Sequence, residues 1–166
     1  MNAPHDWDRL WAPHRLPYLQ GTEKTEGCVF CITEDASKKT DLVVRRGKEC
    51  FVVMNLYPYN SGHLLICPYR HIADLTDLTV SEAAELHLLT KQSMQALRIV
   101  SSAQGFNIGI NQGSVSGAGI AEHLHQHIVP RWQGDTNFMP VIGGTKVLAQ
   151  LLADLRKLLA GAWPDA

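Results

Sequence analysis

The amino-acid sequence predicts an α+β fold, with a five-stranded antiparallel sheet, one long helix and a second helix near the C-terminus. Short runs of β-branched and apolar residues follow one another with only turn residues between most of them, which favours antiparallel pairing. The two helical patterns are segregated from these runs. At 166 residues, with 45% hydrophobic and 19% charged residues, the chain has the size and composition of one globular domain. We therefore predict a single domain over residues 1–166, with an N-terminal arm at 1–27 and a C-terminal extension at 131–166.

The predicted strands are recognisable from their residue types and from the chain-breaking residues that bound them. Arg46-Gly47-Lys48 is a plausible hairpin turn. Segment 55–62 contains asparagine, proline and glycine and must be a loop. Pro68 ends the third run. The five runs lie at residues 42–45, 51–54, 64–67, 106–110 and 123–130.

The long helix is predicted over residues 80–102. Thr79 and Glu82 have the spacing of a capping box, in which each side chain bonds to the backbone of the other residue. Apolar residues then recur every three or four positions from Leu86 to Val100, which gives one mostly apolar stripe. A similar pattern of leucines between residues 148 and 159 predicts the C-terminal helix.

The overall charge argues against a nucleic-acid or membrane partner. The formal net charge is -1, so the chain has no global field that would attract polyanions. No apolar run approaches the ~20 residues of a membrane-spanning helix. The first 20 residues carry charges among their aromatics, unlike a signal peptide. We expect a cytoplasmic protein that binds neither nucleic acid nor membranes.

The most informative segment is residues 123–127, in which three histidines recur at a spacing of two. In an extended segment, alternate residues project from one face, so His123, His125 and His127 are predicted to line one surface. A glycine-rich loop at 113–119 precedes them, and its backbone N–H groups can approach phosphate oxygens without obstruction by side chains. Histidine acts near neutral pH as a nucleophile, a proton donor or a metal ligand.

A metal site made by these histidines alone is the weaker interpretation. Gly117 and the His123-x-His125 pair have the spacing found in metal-binding cupin barrels. That motif also needs a glutamate shortly after the second histidine, where this chain has apolar residues such as Val129. The chain is also too helical for such a barrel. Covalent catalysis on phosphorus is the alternative, since a neutral imidazole with its other N–H held by an acceptor is a competent nucleophile.

The histidine segment resembles the signature of the histidine triad (HIT) superfamily of nucleotidyl hydrolases and transferases. That signature alternates its histidines with apolar residues, and Gln126 departs from it. Segment 51–71, which includes Gly62-His63, also resembles the family, and the resemblance extends over about residues 27–130. Residues 132–146 resemble a narrower branch, the bacterial proteins that cleave diadenosine tetraphosphate. Residues 8–11 and 55–60 resemble the actinobacterial diadenosine tetraphosphate phosphorylases in particular.

The resemblance implies a catalytic role for four histidines. The middle residue of the triad, His125, would attack the α-phosphorus and become a nucleotidyl-histidine. The carbonyl of His123 would hold the other ring nitrogen of this nucleophile. His127 would lie beside the phosphate and the leaving group, and His63 would complete the polar network behind the strand.

Residues outside the triad are implied to bind the substrate. Asn55 would contact the ribose of the nucleotide, and Asn111 and Gln112 would hold phosphate oxygens. Loop capping is the alternative for the two asparagines. The glycine-rich loop supplies the remaining candidates for substrate binding: Ser116, Gly117 and Gly119.

Two of the four cysteines, Cys28 and Cys31, form a Cys-x-x-Cys pair. This spacing is typical of a zinc knuckle, which needs two further ligands. In zinc-bearing HIT relatives those ligands occupy the positions of His71 and His123, so the resemblance implies structural zinc held by these four residues. A reduced, metal-free pair is the alternative. A redox role is disfavoured because no strand-to-helix thioredoxin pattern follows the pair.

Together these resemblances imply a homodimeric enzyme that cleaves diadenosine tetraphosphate through a nucleotidyl-His125 intermediate. Inorganic phosphate is the favoured acceptor, which would give ADP and ATP. Phosphorolytic relatives tend to carry serine, and hydrolytic ones glutamine, where this chain has Gly119, so the acceptor stays open. The alternatives are hydrolysis to AMP and ATP, a nucleoside phosphoramidase and a nucleotide-binding interaction module. A divalent cation such as Mg²⁺ could accompany the substrate.

Overall fold

A computed structural model describes residues 27–31, 42–135 and 150–164. These residues belong to the larger of two compact units of the chain, formed by Thr25–Asp135 and Leu148–Ala166. Most of the predicted N-terminal arm, and residues 136–149 of the predicted extension, lie outside the described residues. The organisation as a single domain therefore stays a prediction.

The sheet has five strands, as predicted, in the order β1-β2-β3-β5-β4. All four pairs of neighbouring strands are antiparallel. The fifth strand lies between the third and the fourth, so the segment that carries the histidines leads into an inner strand of the sheet. The strands are β1, Val43–Arg46; β2, Cys50–Met54; β3, Leu64–Pro68; β4, Gly105–Ile110; and β5, Gln126–Arg131.

Among the described residues, two α-helices accompany the sheet, and both predicted helical patterns are confirmed. Helix α1 spans Val80–Ser101, and helix α2 spans Leu152–Gly161. Thr79 and Glu82 form the predicted capping box at the start of α1. Within the parts of the chain that are described, no helix is both long and apolar enough to cross a membrane.

The alternation of side chains gives the sheet two different faces. One face packs against the helices and contributes the main core, with Val52, Leu64, Ile66 and Ile128 among its fully buried residues. The opposite face carries a small apolar cluster of three buried residues. In this cluster Leu65 lies directly opposite His127 on β5. The strand pairing therefore places His127 on the face of the sheet that is not covered by α1.

The prediction of a strand that starts at His123 is wrong by three residues. Strand β5 begins at Gln126, because the groups that a longer ladder would use have other partners. The carbonyl of Pro68 accepts from the ring of His123, with an N–O distance of 2.9 Å. The backbone N–H of Leu124 donates to the carbonyl of Ile72. The other predicted boundaries differ from the observed ones by at most two residues, except at the start of α2. There the predicted helix begins at residue 148 and the observed one at Leu152, and residues 148–149 lie outside the described residues.

Candidate active site and metal cluster

His125 is held in one defined tautomer. Its Nδ1 lies 2.8 Å from the carbonyl oxygen of His123. A carbonyl oxygen can only accept a hydrogen bond, so Nδ1 carries the proton and the lone pair of the neutral ring is on Nε2. The residue is 6% exposed, and burial lowers its pKa below the ordinary value for histidine. The ring is therefore neutral at physiological pH, which is the form of imidazole that can attack phosphorus.

His127 and His63 form a second hydrogen-bonded unit on the same face. His63 is fully buried, and its Nδ1 accepts a hydrogen bond of 2.9 Å from the backbone N–H of Tyr59. Neutral His63 therefore carries its proton on Nε2, which lies 2.9 Å from Nδ1 of His127. His127 then accepts at Nδ1 and carries its own proton on Nε2. These two hydrogen bonds, from Tyr59 to His63 and from His63 to His127, form a histidine relay that makes Nε2 of His127 a hydrogen-bond donor.

The three histidines of the triad are brought together, but they do not have equivalent surroundings. The rings of His125 and His127 are 5.0 Å apart between centroids. The ring of His123 instead turns toward the cysteine pair and has His71 as an edge-on neighbour at 5.2 Å. The predicted single line of imidazoles is thus divided between a candidate nucleophile, a candidate proton donor and a candidate metal ligand.

The turn before β3 depends on Gly62. This glycine has a φ of 81° and would place a Cβ atom 2.9 Å from Cδ2 of Leu97 on α1. A side chain there would strain the backbone and collide with the helix. The close approach of loop and helix fixes the start of β3 and therefore the position of His63.

Asn55 is engaged within its own loop. Its side-chain oxygen accepts from the N–H of Tyr57 at 3.0 Å, and its amide nitrogen lies 3.2 Å from Nδ1 of His63. These contacts correspond to the loop-capping alternative, extended by a contact to the histidine relay. The predicted contact of Asn55 with the ribose stays a prediction.

The glycine-rich loop is exposed to solvent beside the triad. Ser116, Gly117 and Gly119 are exposed, and Asn111 is half buried. The hydroxyl of Ser116 donates to the carbonyl of Gly113 at 2.7 Å, and Gly117 follows with a φ of 83° that favours glycine. Within this turn the backbone N–H groups of Ser116 and Gly117 donate to the carbonyls of Gly113 and Ser114.

Gln112 contacts a neighbouring turn of the protein. Its side-chain oxygen accepts from the N–H of Leu75 at 3.0 Å. Hydrogen bonds from Thr76, and to a smaller extent from Gln112, lower the pKa of Asp74. The side chain of Gln112 therefore ties the loop to residues 74–75, and its predicted contact with phosphate stays a prediction.

The four predicted metal ligands form one cluster. The ligand atoms of Cys28, Cys31, His71 and His123 all lie within 4.8 Å of one another. Cys28 Sγ is 3.3 Å from Nδ1 of His123, and Cys31 Sγ is 3.1 Å from Nδ1 of His71. At zinc bond lengths of about 2.0–2.3 Å, tetrahedral ligands are roughly 3.3–3.8 Å apart. The donor set thus fits a tetrahedral zinc ion, and the distances of 3.1–3.8 Å between cysteine sulfur and histidine nitrogen lie close to that range.

His123 connects this cluster to the candidate nucleophile, His125. Its Nε2 donates to the carbonyl of Pro68, so its lone pair is on Nδ1 and faces the cysteines. Its own backbone carbonyl accepts from His125. A ligand that fixes His123 would therefore also fix the acceptor that determines the tautomer of His125.

Two aromatic residues of the site were missed by the sequence analysis. The ring of Phe30 lies 5.1 Å from that of His125 and 5.7 Å from that of His123. The position of Phe30 between Cys28 and Cys31 could have indicated this contact, because a metal bound by the two cysteines would hold the residues between them in position. Tyr59 contacts the rings of His63 and His127. It lies in a segment that the family resemblance singled out without assigning it a function.

The fold and these histidines define a class of protein, and comparison with known proteins agrees with it. Residues 36–134 match the HIT domain family, and the chain belongs to this family. A Mycobacterium tuberculosis protein named AP-4-A phosphorylase is 45% identical over 163 residues, which cover 93% of this chain and 84% of the relative. A Schizosaccharomyces pombe bis(5'-nucleosyl)-tetraphosphatase (asymmetrical) is 38% identical over 93 residues, which cover 56% of this chain and 50% of the relative.

Solved structures of the family have the same architecture. A zinc-bound histidine triad family protein from Mycobacterium smegmatis superposes with a TM-score of 0.67 at 26% identity. The superposition covers 82% of this chain and 92% of that protein. The predicted HIT fold is confirmed.

Proposed function

We propose that this protein is a diadenosine tetraphosphate phosphorylase, which uses inorganic phosphate to produce ADP and ATP. The mycobacterial relative named AP-4-A phosphorylase supports this substrate and acceptor, because the similarity extends over 93% of this chain. The observation that carries the chemistry is the hydrogen bond of 2.8 Å from His125 to the carbonyl of His123. It leaves a buried, neutral imidazole with its lone pair on Nε2.

In the first step, Nε2 of His125 attacks the α-phosphorus of one adenosine moiety. The new N–P bond forms, and the bond from this phosphorus to the bridging oxygen breaks. ATP leaves, and AMP stays attached to His125. The N–H at Nε2 of His127 donates a hydrogen bond to the bridging oxygen and stabilises the negative charge that develops there. The carbonyl of His123 stabilises the positive charge on the modified ring.

In the second step, an oxygen of inorganic phosphate attacks the same phosphorus. The N–P bond breaks, ADP leaves, and His125 returns to its neutral form. Water in place of phosphate would release AMP. Hydrolysis is the second candidate because the yeast relative is named a tetraphosphatase.

The glycine-rich loop is the proposed binding site for the phosphates. Its exposed residues Ser116, Gly117 and Gly119 are the candidate contacts, and Asn111 lies at its start. The N–H groups of Ser116 and Gly117 bond to carbonyls within the turn, so phosphate oxygens would have to replace those partners. Gly119 has no side chain that would occupy the space of the second substrate. A divalent cation such as Mg²⁺ would enter with the polyphosphate, to which it is suited as a hard cation.

The cysteine and histidine cluster is the proposed site of a structural zinc ion. Four protein ligands leave no open position for water or substrate, as is usual for structural zinc. The zinc-bound mycobacterial HIT protein supports this choice of metal. Zinc there would hold the Cys28–Cys31 segment against His123, next to the active site.

The test of the reaction is chromatography of the products formed from diadenosine tetraphosphate, with and without inorganic phosphate. We expect ADP and ATP, and only when phosphate is present. His125→Ala should lower turnover by several orders of magnitude while nucleotide affinity is kept. The matched control is His87→Ala, since His87 is an exposed histidine on α1.

Three other outcomes would contradict this proposal. AMP and ATP formed at a rate independent of phosphate would make the protein a hydrolase. Cleavage of adenylylated amines alone would make it a phosphoramidase. Nucleotide binding without turnover, equal in the wild type and in His125→Ala, would make it an interaction module.

The zinc proposal is tested by metal analysis combined with alkylation of thiols. We expect one zinc ion per chain and protection of Cys28 and Cys31 until a chelator is added. Cys50 serves as the internal control, because burial, chiefly, raises the pKa of its thiol to about 12 and it should stay unmodified throughout. Equal labelling of Cys28 and Cys31 before and after chelation would favour the reduced, metal-free pair.

A further inference from the structure

The ring of Tyr59 packs against both members of the histidine relay. It is stacked on His127, with 5.4 Å between the ring centroids and an angle of 12° between the planes. It also lies against His63 at 4.5 Å and 48°. The side chain of Tyr59 therefore covers both His63 and His127, the two imidazoles whose hydrogen bond determines the tautomer of His127.

The backbone of Tyr59 acts on the same relay. Its N–H donates to Nδ1 of His63, and this contact places the proton of His63 on the nitrogen that faces His127. If the ring of His127 rotated by 180°, a carbon atom would replace Nδ1 as the partner of that proton. Stacked rings resist such a rotation, because it would require the planes to separate.

The loop that carries Tyr59 is fixed independently of its ring. The next residue, Asn60, is buried and donates from Nδ2 to the carbonyl of Pro130 at 3.1 Å and to Asp135 at 2.8 Å. Arg131 holds the same carboxylate through two hydrogen bonds. The side chain of Tyr59 is half buried, so its replacement should leave the loop in place.

We propose that Tyr59 is a positioning residue for departure of the leaving group, because its ring holds His127 in the orientation that presents the Nε2 proton. This inference rests on the proposed function, in which Nε2–H of His127 donates a hydrogen bond to the leaving oxygen. It predicts that Tyr59 matters when negative charge is concentrated on the leaving oxygen and matters little when that charge is strongly delocalised.

The test compares two substrates in single-turnover release of the leaving group. Diadenosine tetraphosphate releases ATP, whereas the 2,4-dinitrophenyl ester of AMP releases a much less basic phenolate, whose delocalised charge needs no hydrogen bond from His127. We expect Tyr59→Leu to slow ATP release by tenfold or more, with substrate affinity changed less than twofold, and to leave phenolate release within twofold of the wild type. Tyr59→Phe keeps the ring and should match the wild type on both substrates.

Two further measurements test whether Tyr59 acts through His127. In a His127→Ala background, Tyr59→Leu should add no further loss, because the residue through which it acts is gone. In ¹⁵N-labelled protein, the NMR signals of His127 should show the Nε2–H tautomer in the wild type and in Tyr59→Phe, and a mixture in Tyr59→Leu. The NMR measurement needs no turnover, so it tests Tyr59 even if the proposed reaction fails.

The outcomes separate the two proposals. An equal loss on both substrates, no loss on diadenosine tetraphosphate, or an unchanged His127 tautomer in Tyr59→Leu would overturn the inference about Tyr59. Failure of the wild-type protein to release either leaving group would overturn the proposed function and, with it, the catalytic part of this inference.

Discussion

At the scale of single residues, the chemistry of this site follows from which nitrogen of each histidine carries the proton. A backbone carbonyl accepts from His125 and determines its tautomer. Another backbone carbonyl does the same for His123, and a backbone N–H that donates to His63 determines the tautomer of that ring. Each ring is thereby given one donor and one acceptor in a defined direction. The proposed nucleophile, metal ligand and hydrogen-bond donor to the leaving group are the same residue type, and their hydrogen-bond partners distinguish them.

A buried carboxylate in the first turn of α1 makes the acid stability of the protein predictable. Glu82 is 2% exposed and accepts two hydrogen bonds from Arg70, at 2.7 and 2.8 Å. These bonds, above all, lower the pKa of Glu82 to about 2. The folded state therefore favours the charged carboxylate, so the stabilisation is complete above the ordinary pKa of about 4.5 and is lost as the pH falls toward 2.

We expect Glu82→Gln to lower the melting temperature at pH 7, and this difference from the wild type should shrink progressively between pH 4.5 and pH 2. Thermal denaturation followed by circular dichroism over this pH range measures it. Asp154→Asn, a substitution of an exposed carboxylate in α2, is the control and should show little effect at either end. A difference that stays constant down to pH 2 would contradict the assignment.

At the scale of elements, the departure from the triad signature at Gln126 has a structural partner. Gln126 lies at the first position of β5 and donates to the hydroxyl of Thr90 on α1 at 2.7 Å. That hydroxyl in turn donates to the carbonyl of Leu86 at 2.7 Å. A polar contact thus joins the strand to the helix at the point where the ladder begins, on the face opposite to His125 and His127.

A double-mutant cycle should reveal this contact. Thr90→Val should destabilise the protein by about 1–3 kcal/mol, because the amide of Gln126 would be left without its partner in a half-buried position. Gln126→Leu should cost less, since Thr90 would keep its bond to Leu86. The double variant should recover part of the loss, as measured by denaturant unfolding. Additive losses would show that the two side chains do not interact energetically.

At the scale of the whole molecule, the sheet has an edge that suits the homodimer we propose. Among the described residues, β4 pairs only with β5, and Ile108 on β4 is 45% exposed. An edge strand with an exposed apolar side chain favours association.

The dimer is tested by sedimentation of the wild type and of Ile108→Glu. We expect a dimer for the wild type and a monomer for the variant, because a charge at this position would have to be desolvated in the interface. Leu158→Glu is a matched control, since Leu158 is a similarly exposed leucine on α2. A monomeric wild type, or a dimeric Ile108→Glu variant, would contradict association through β4.

The elements were largely predictable because their signals are local. Thr79 and Glu82 are three residues apart, which is the spacing of a capping box, and they form one at the start of α1. The strand patterns gave all five strands, and the histidine spacing identified the triad. The start of β5 was predicted wrongly because it depends on Pro68 and Ile72, which are distant in the sequence.

The sequence by itself determined the elements, the family and the residue types of the site, since periodicity, capping and motif spacing are properties of neighbouring residues. Only the tertiary structure decided the proton positions of the histidines and the contacts of Phe30 and Tyr59 with them. Those depend on groups that the sheet brings together from distant segments, such as the carbonyl of Pro68 and the ring of His123. No local pattern encodes a distance between such groups, because strand order and register set it.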